Sequence, residues 1–281
     1  MRIITDTSSD ITLDEAKQLG IDVVKVAIIF EDGEAKQGTF EDFETFYKRL
    51  ENAKALPTTS QPTPEEYIRL LEKSQENDEE TLIITLSSGL SGTYNAVKLV
   101  KETMDKPELI EVFDSKHAII TQRLLVEKAV ELRDQGKTMT EIVEALTIYR
   151  DKLHVCGALD TLLYLKKGGR IPASLATIGS LLKVKPLIEI RDGVLGNLGT
   201  TRGMKAAKKQ LWAELDQADV DLELGLCIGY TGGPKELESF QGFIEETKAR
   251  YHCDDIKIYP IGGVIGTHLG PGAIVFAYVS R

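Results

Sequence analysis

Leu82-Ile83-Ile84-Thr85-Leu86-Ser87-Ser88-Gly89-Leu90-Ser91-Gly92-Thr93-Tyr94-Asn95-Ala96-Val97-Lys98-Leu99-Val100 changes period in its middle. Residues 82–86 are a short apolar run rich in β-branched side chains, as a buried strand requires. From Ala96 onward the apolar side chains recur three and four apart, which is a helix face. The hydroxyls of Ser87, Ser88, Ser91 and Thr93 therefore sit where a strand's carboxyl end meets a helix start. Free N–H groups and a partial positive charge at that start favour an anionic head group.

The same alternation continues on both sides. Arg2-Ile3-Ile4-Thr5 reads as a first strand ending in Asp6-Thr7-Ser8-Ser9-Asp10, and Glu108 to Phe113 as a strand ending in Asp114-Ser115-Lys116. Thr12 with Glu15, Thr63 with Pro64 and Glu66, and Thr138 with Glu141 are capping signals that start helices; Gly20 and Gly136 stop two. Phe40 to Leu50 reads as a helix, and Val23 to Phe30 as one strand turned by Asp32-Gly33. Three strands ending in similar polar loops predict a parallel sheet with its ligand edge along those ends. Asp, Ser and Thr at such positions also cap helices, so each loop alone decides little. The capping of Thr63 leaves Thr59, Ser60 and Gln61 extended between Pro57 and Pro62, free to bind.

From His154 the pattern shifts. A strand at Val155 to Leu159 precedes Lys166-Lys167-Gly168-Gly169-Arg170-Ile171 and an apolar helix through Leu182. Arg191-Asp192-Gly193 joins two strands as a hairpin, so the second sheet is expected to be mixed. Helices at Lys205 to Leu215 and Pro234 to Ala249 and strands at Leu222 to Ile228, Ile256 to Tyr259 and Ile274 to Val279 complete it. The expected division is residues 1–155, a parallel-sheet α/β domain carrying the head-group loops, and 156–281, a mixed-sheet α/β domain. Gly262 to Gly272 reads as a glycine loop holding a single titratable side chain, His268.

Composition narrows the function. The 281 residues carry a formal net charge of -10, which repels nucleic acid on average. No apolar run reaches the ~18 residues a membrane helix needs, and Met1-Arg2 leads directly into strand-like residues, so a cytoplasmic location is expected. Cys156, Cys227 and Cys253 lack metal or disulfide spacing, and no glycine-rich nucleotide loop is present; neither metal nor cofactor is expected. Ser91 and His268 could instead form a nucleophile and base for acyl or phosphoryl transfer on a small substrate, oriented by Asp6, Asp10 or Asp114.

Asp6-Thr7-Ser8-Ser9-Asp10, Thr59-Ser60-Gln61-Pro62, the Leu86 to Tyr94 turn, Asp114-Ser115, Leu165 to Ile171 and Gly266-Thr267-His268-Leu269-Gly270-Pro271-Gly272 together resemble, in order, the DegV family of bacterial fatty-acid-binding proteins. That family includes the FakB subunits of the fatty acid kinase system. The resemblance implies two α/β domains with a long-chain fatty acid between them. It implies a carboxylate held by Thr59, Ser91 and His268, with Ser60, Gln61, Ser88, Gly92, Thr93 and Thr267 as secondary candidates, and an acyl chain in a tunnel of the second domain. It further implies a non-catalytic carrier that presents its ligand to a separate ATP-dependent kinase for acyl-phosphate formation, en route to phospholipid synthesis. Arg170, Lys167 and Arg202 are the implied docking residues for the kinase, with a transient membrane-surface contact. The chain departs from the family pattern at Ile119, Thr121, Arg123, Thr200 and Gly229.

Overall fold

A computed structural model describes residues 1–176 and 184–281. Its strands are β1 (Arg2–Asp6), β2 (Asp22–Val24), β3 (Ala27–Phe30), β4 (Gly33–Glu34), β5 (Thr58–Ser60), β6 (Thr81–Thr85) and β7 (Ile110–Asp114) in the first half. In the second half they are β8 (Leu153–Ala158), β9 (Val184–Arg191), β10 (Val194–Arg202), β11 (Leu226–Tyr230), β12 (Lys257–Pro260) and β13 (Ile274–Val279). The fold is α/β with one parallel and one mixed sheet, as the sequence predicts.

The parallel sheet runs β2-β1-β6-β7. Alternation along β6 sends Leu82 and Ile84 to one face and Ile83 to the other, so the run is buried throughout. Helices Ile119–Asp134 and Met139–Lys152 cover the first face through Leu125, Val126 and Leu146. Helices Pro64–Gln75 and Thr93–Thr103 cover the second through Tyr67, Leu71 and Val97. The capping boxes of Thr12 with Glu15 and Thr138 with Glu141 form, and Gly20 ends helix Leu13–Leu19 in the left-handed conformation.

The mixed sheet runs β10-β9-β8-β13-β11-β12, with only β11 and β12 parallel. Asp192 and Gly193 both have positive φ, the turn that matches strand twist in a two-residue hairpin. Helices Met204–Gln217 and Pro234–Tyr251 pack Leu211, Phe240 and Phe243 on one face. On the other face Val155, Ile188 and Val275 meet Leu86, Ala118, Ile119 and Ile120 of the first half. Gly229 lies on that face, where a Cβ would stand 2.7 Å from Val275 Cγ2 and 2.8 Å from Ile120 Cδ1. Close packing there leaves little room for a side chain at Gly229. The division at residue 155 falls inside β8, all of which pairs in the mixed sheet.

Two expectations are corrected. Val23 to Phe30 is not one strand: β2 joins the parallel sheet, while β3 forms a small antiparallel sheet, β4-β3-β5, under helix Phe40–Glu51. Thr59 and Ser60 accordingly do have a structural task, pairing with Ile28 and Ala27. Nor is 262–272 a loop, because Gly263–Leu269 is a helix. Its glycines admit neighbours: a Cβ on Gly263 would lie 2.8 Å from Phe46, and one on Gly266 would collide with the Tyr47 hydroxyl. Of the apolar helix expected through Leu182, Ala173–Ala176 is helical and 177–183 lies outside the described residues.

Candidate functional site

A cavity of about 310 Å³ lies between the two halves. Its polar wall holds Thr59, Ser60, Gln61, Ser91, Gly92 and His268, with Arg170 beside them. Its apolar wall includes Val155, Ile188, Ile190, Leu195 and Val275 of the mixed sheet, facing Leu86, Ala118 and Ile119. Seven candidates from four stretches far apart in sequence thus share one surface: Thr59, Ser60 and Gln61, Ser91 and Gly92, Arg170, and His268.

Each is set by a different element. Thr59 stands in the middle of β5, its Oγ1 3.0 Å from His268 Nε2. Ser91 ends the turn after β6, where its Oγ accepts from Thr93 N at 3.3 Å and lies 2.9 Å from Thr93 Oγ1. Gly92 lies against the Gln61 side chain, whose Oε1 would be 2.6 Å from a Cβ there. The Arg170 guanidinium donates to Leu90 O at 3.2 Å and Gly168 O at 2.8 Å, tying the turn to the segment after β8.

His268 rides on the glycine-rich helix. Burial, reinforced by the positive charge of Arg170, pushes its imidazole down to about 4, so it is neutral near pH 7. Among the described residues its Nδ1 is buried without a partner. The first half fixes the helix start: Asp10 Oδ1 accepts from Gly262 N at 2.9 Å, and Tyr47 Oη donates to Ile261 O at 2.8 Å. A second clasp sits at the hairpin tip, where the buried Ser87 hydroxyl donates to Gly193 O at 2.6 Å.

Several sequence candidates have other partners and do not line the cavity. Ser88 donates to Asp114 Oδ2 at 2.5 Å, Thr93 pairs with Ser91, and Thr267 Oγ1 donates to Gly263 O at 2.7 Å within its own helix. Lys167 and Arg202 are exposed and away from the cavity lining. The nucleophile–base arrangement is also not formed. His268 is bonded to Thr59 rather than Ser91, while Asp6 accepts from Leu86 N, Asp10 from Gly262 N and Asp114 from Ser88. None of the three carboxylates orients the imidazole. Among the described residues no group of three or more His, Cys, Asp or Glu side chains could hold a metal ion, and all three cysteines are free.

The sequence does not single out the apolar wall, since Ile188, Leu195 and Val275 read there only as strand residues. Ile119 is a β-branched side chain lining the cavity from a backbone with φ 51°. Arg123, another departure, is buried and pairs with Glu15 and, at 2.8 Å, Glu127, its guanidinium 4.7 Å from the Tyr259 ring centroid. It joins the halves beneath the cavity.

The family model described as "Uncharacterised protein, DegV family" matches residues 1–281. The chain is 33% identical over 275 residues to a DegV domain-containing protein of Clostridium perfringens, covering 97% of this chain and 95% of that one. It superposes on the structure of a fatty-acid-binding DegV family protein from Thermus thermophilus with a TM-score of 0.85, 27% identity and full coverage of both chains. For DegV of Bacillus subtilis, described as a fatty acid binding protein, the TM-score is 0.84 at 28% identity, covering 100% and 99%. With the whole chain matched and both sheets shared, the chain belongs to the DegV family.

Proposed function

We propose that this protein binds a long-chain fatty acid and presents it to a separate ATP-dependent kinase for acyl-phosphate formation. The carboxylate sits among Thr59, Ser91 and His268, and the acyl chain lies against the mixed sheet. The observation that carries this reading is one cavity with a polar wall from Thr59, Ser91 and His268 and an apolar wall from Ile188, Leu195 and Val275. The family membership and the fatty acids bound by the Thermus thermophilus and Bacillus subtilis proteins support it.

Energetics assign the two walls different tasks. Each hydrogen bond to a charged carboxylate contributes about 1.5–3 kcal/mol, and burying about fourteen methylenes contributes roughly 11 kcal/mol before association costs. Affinity comes from the chain, orientation from the head group. Neutral His268 suits this role, because it adds a hydrogen bond without a buried charge when the site is empty. Arg170 lines the polar end and the exposed Lys166 and Lys167 precede it in the chain, a basic cluster that favours an acidic patch on the kinase.

Organic extraction of the purified protein followed by mass spectrometry should yield a fatty acid at one equivalent. Ser91→Ala and His268→Ala should weaken binding, and acyl phosphate should form only when kinase and ATP are added. A protein that neither contains nor binds fatty acids, or that alone turns over an acyl substrate in a Ser91-dependent way, refutes the reading.

A further inference from the structure

Six non-glycine residues have positive φ among the described residues: Asp10, Asp78, Lys116, Ile119, Asp192 and His252. Aspartate and histidine tolerate this conformation; a β-branched residue there is an outlier. Ile119 is moreover 3% exposed and lines the cavity. The loop that precedes it is held by hydrogen bonds on both sides. Lys116 N donates to Asp114 Oδ1 at 3.0 Å, His117 N to Ser115 Oγ at 3.0 Å, and Ser87 N to His117 O at 2.9 Å. Directly after this anchored loop the backbone takes a conformation that suits glycine, yet the position holds a four-carbon side chain against the cavity. Strain of this kind persists where the side chain has a task.

Resting on the fatty-acid reading above, we propose that Ile119 limits the bulk of the acyl chain this cavity admits. Its side chain and those of Leu86 and Ala118 form the first half's apolar wall opposite Val155 and Val275. Truncation at this wall adds to a space already present, so ligand atoms can fill it. Ile119→Ala removes three carbons, room for about three methylenes, and each methylene buried is worth about fourfold in affinity.

The test compares tetradecanoic, hexadecanoic, octadecanoic and cis-9-octadecenoic acids on delipidated full-length protein, wild type against Ile119→Ala, Ile119→Gly and Ile119→Val. For the Ala and Gly variants the octadecanoic-to-tetradecanoic affinity ratio should rise by at least about tenfold, with about sixtyfold as the ceiling for three methylenes. Tetradecanoic acid should bind within about threefold of wild type. Ile119→Val loses one carbon and keeps the branched side chain, so it tests the same wall even where a larger truncation impairs folding; its ratio should rise about two- to fourfold. Unchanged ratios, or equal losses for every acid, overturn the inference while leaving the fatty-acid reading intact. A wild-type protein that binds none of the acids overturns that reading, and this inference with it.

Discussion

Glycine at position 119 should lie within about 0.8 kcal/mol of alanine in stability, short of its usual deficit in a helix. Both variants remove the isoleucine side chain, so they share the cost of truncation and differ in two respects. Glycine loses one further methyl group, about 0.8 kcal/mol, and gains unfolded-chain entropy, about 0.5–1 kcal/mol. At an ordinary helical φ it would therefore fall about 1.3–1.8 kcal/mol below alanine. Ile119 has φ 51°, however, where an L-residue with a Cβ is strained by about 1–2 kcal/mol and glycine is not. The two effects cancel to within about 0.8 kcal/mol. Leu125, fully buried on the same helix and without positive φ, supplies the reference: Leu125→Gly should fall the full amount below Leu125→Ala. Calorimetry on delipidated protein reads the difference, since about 1.5 kcal/mol is roughly 3–6 °C in Tm for a chain of this size. A glycine variant that melts as far below its alanine counterpart at 119 as at 125 refutes the strain argument.

Four further outcomes rest on the clasps between the halves and on the helix they hold. Asp10→Ala removes the acceptor for Gly262 N and should weaken fatty acid binding while sparing a fatty alcohol more, whereas Asp10→Asn keeps an acceptor and should restore it; equal losses for acid and alcohol would count against a positioning role. Burial raises the Asp10 carboxyl to about 8, opposed by the Gly262 N–H and by Arg123, with Asp6 and Glu15 facing it as well and Tyr47 nearby. The native state then holds a proton between about pH 4 and 8 that the unfolded state has released, so unfolding titrations should show Asp10→Asn gaining on wild type as pH rises through that window. His268 has the opposite sign: held down at about 4 first by burial and then by Arg170, it makes wild type lose stability relative to His268→Gln as pH falls from about 6.5 to about 4. Gly266→Ala drives a methyl group into Tyr47 and should cost about 1–3 kcal/mol, measured by urea denaturation, with fatty acid affinity falling as the helix shifts.

What the sequence makes legible is local. Thr12 and Glu15, or Thr138 and Glu141, meet within one helical turn, so their pairing is written in their spacing. The hairpin at Asp192-Gly193 follows from the positive φ those residue types supply. What escapes it is decided by distant partners. Thr59 reads as unoccupied because β3, its pairing strand, lies thirty residues upstream inside what looks like a single strand. Gly263 and Gly266 read as loop glycines because Phe46 and Tyr47, which need their space, are over two hundred residues away. Ser88, Thr93 and Thr267 show the converse, since a hydroxyl in sequence carries no sign of the partner that already engages it.

On the fatty-acid reading, the same long-range contacts couple head-group recognition to docking of the halves. His268 belongs to the second half by sequence, yet its helix is seated on Phe46 and Tyr47 and held at its start by Asp10, all in the first half. The turn carrying Ser91 belongs to the first half, yet Gly193 O receives the Ser87 hydroxyl and Arg170 donates to Leu90 O. Each half therefore orients the other's ligand-facing group. A carboxylate bridging Thr59 and Ser91 to His268 would strengthen contacts that form only when the halves are docked, and by linkage tighter docking would strengthen the site. Substitutions at Ser87, Asp10 or Tyr47, none of which lines the cavity, should then alter fatty acid affinity and thermal stability together.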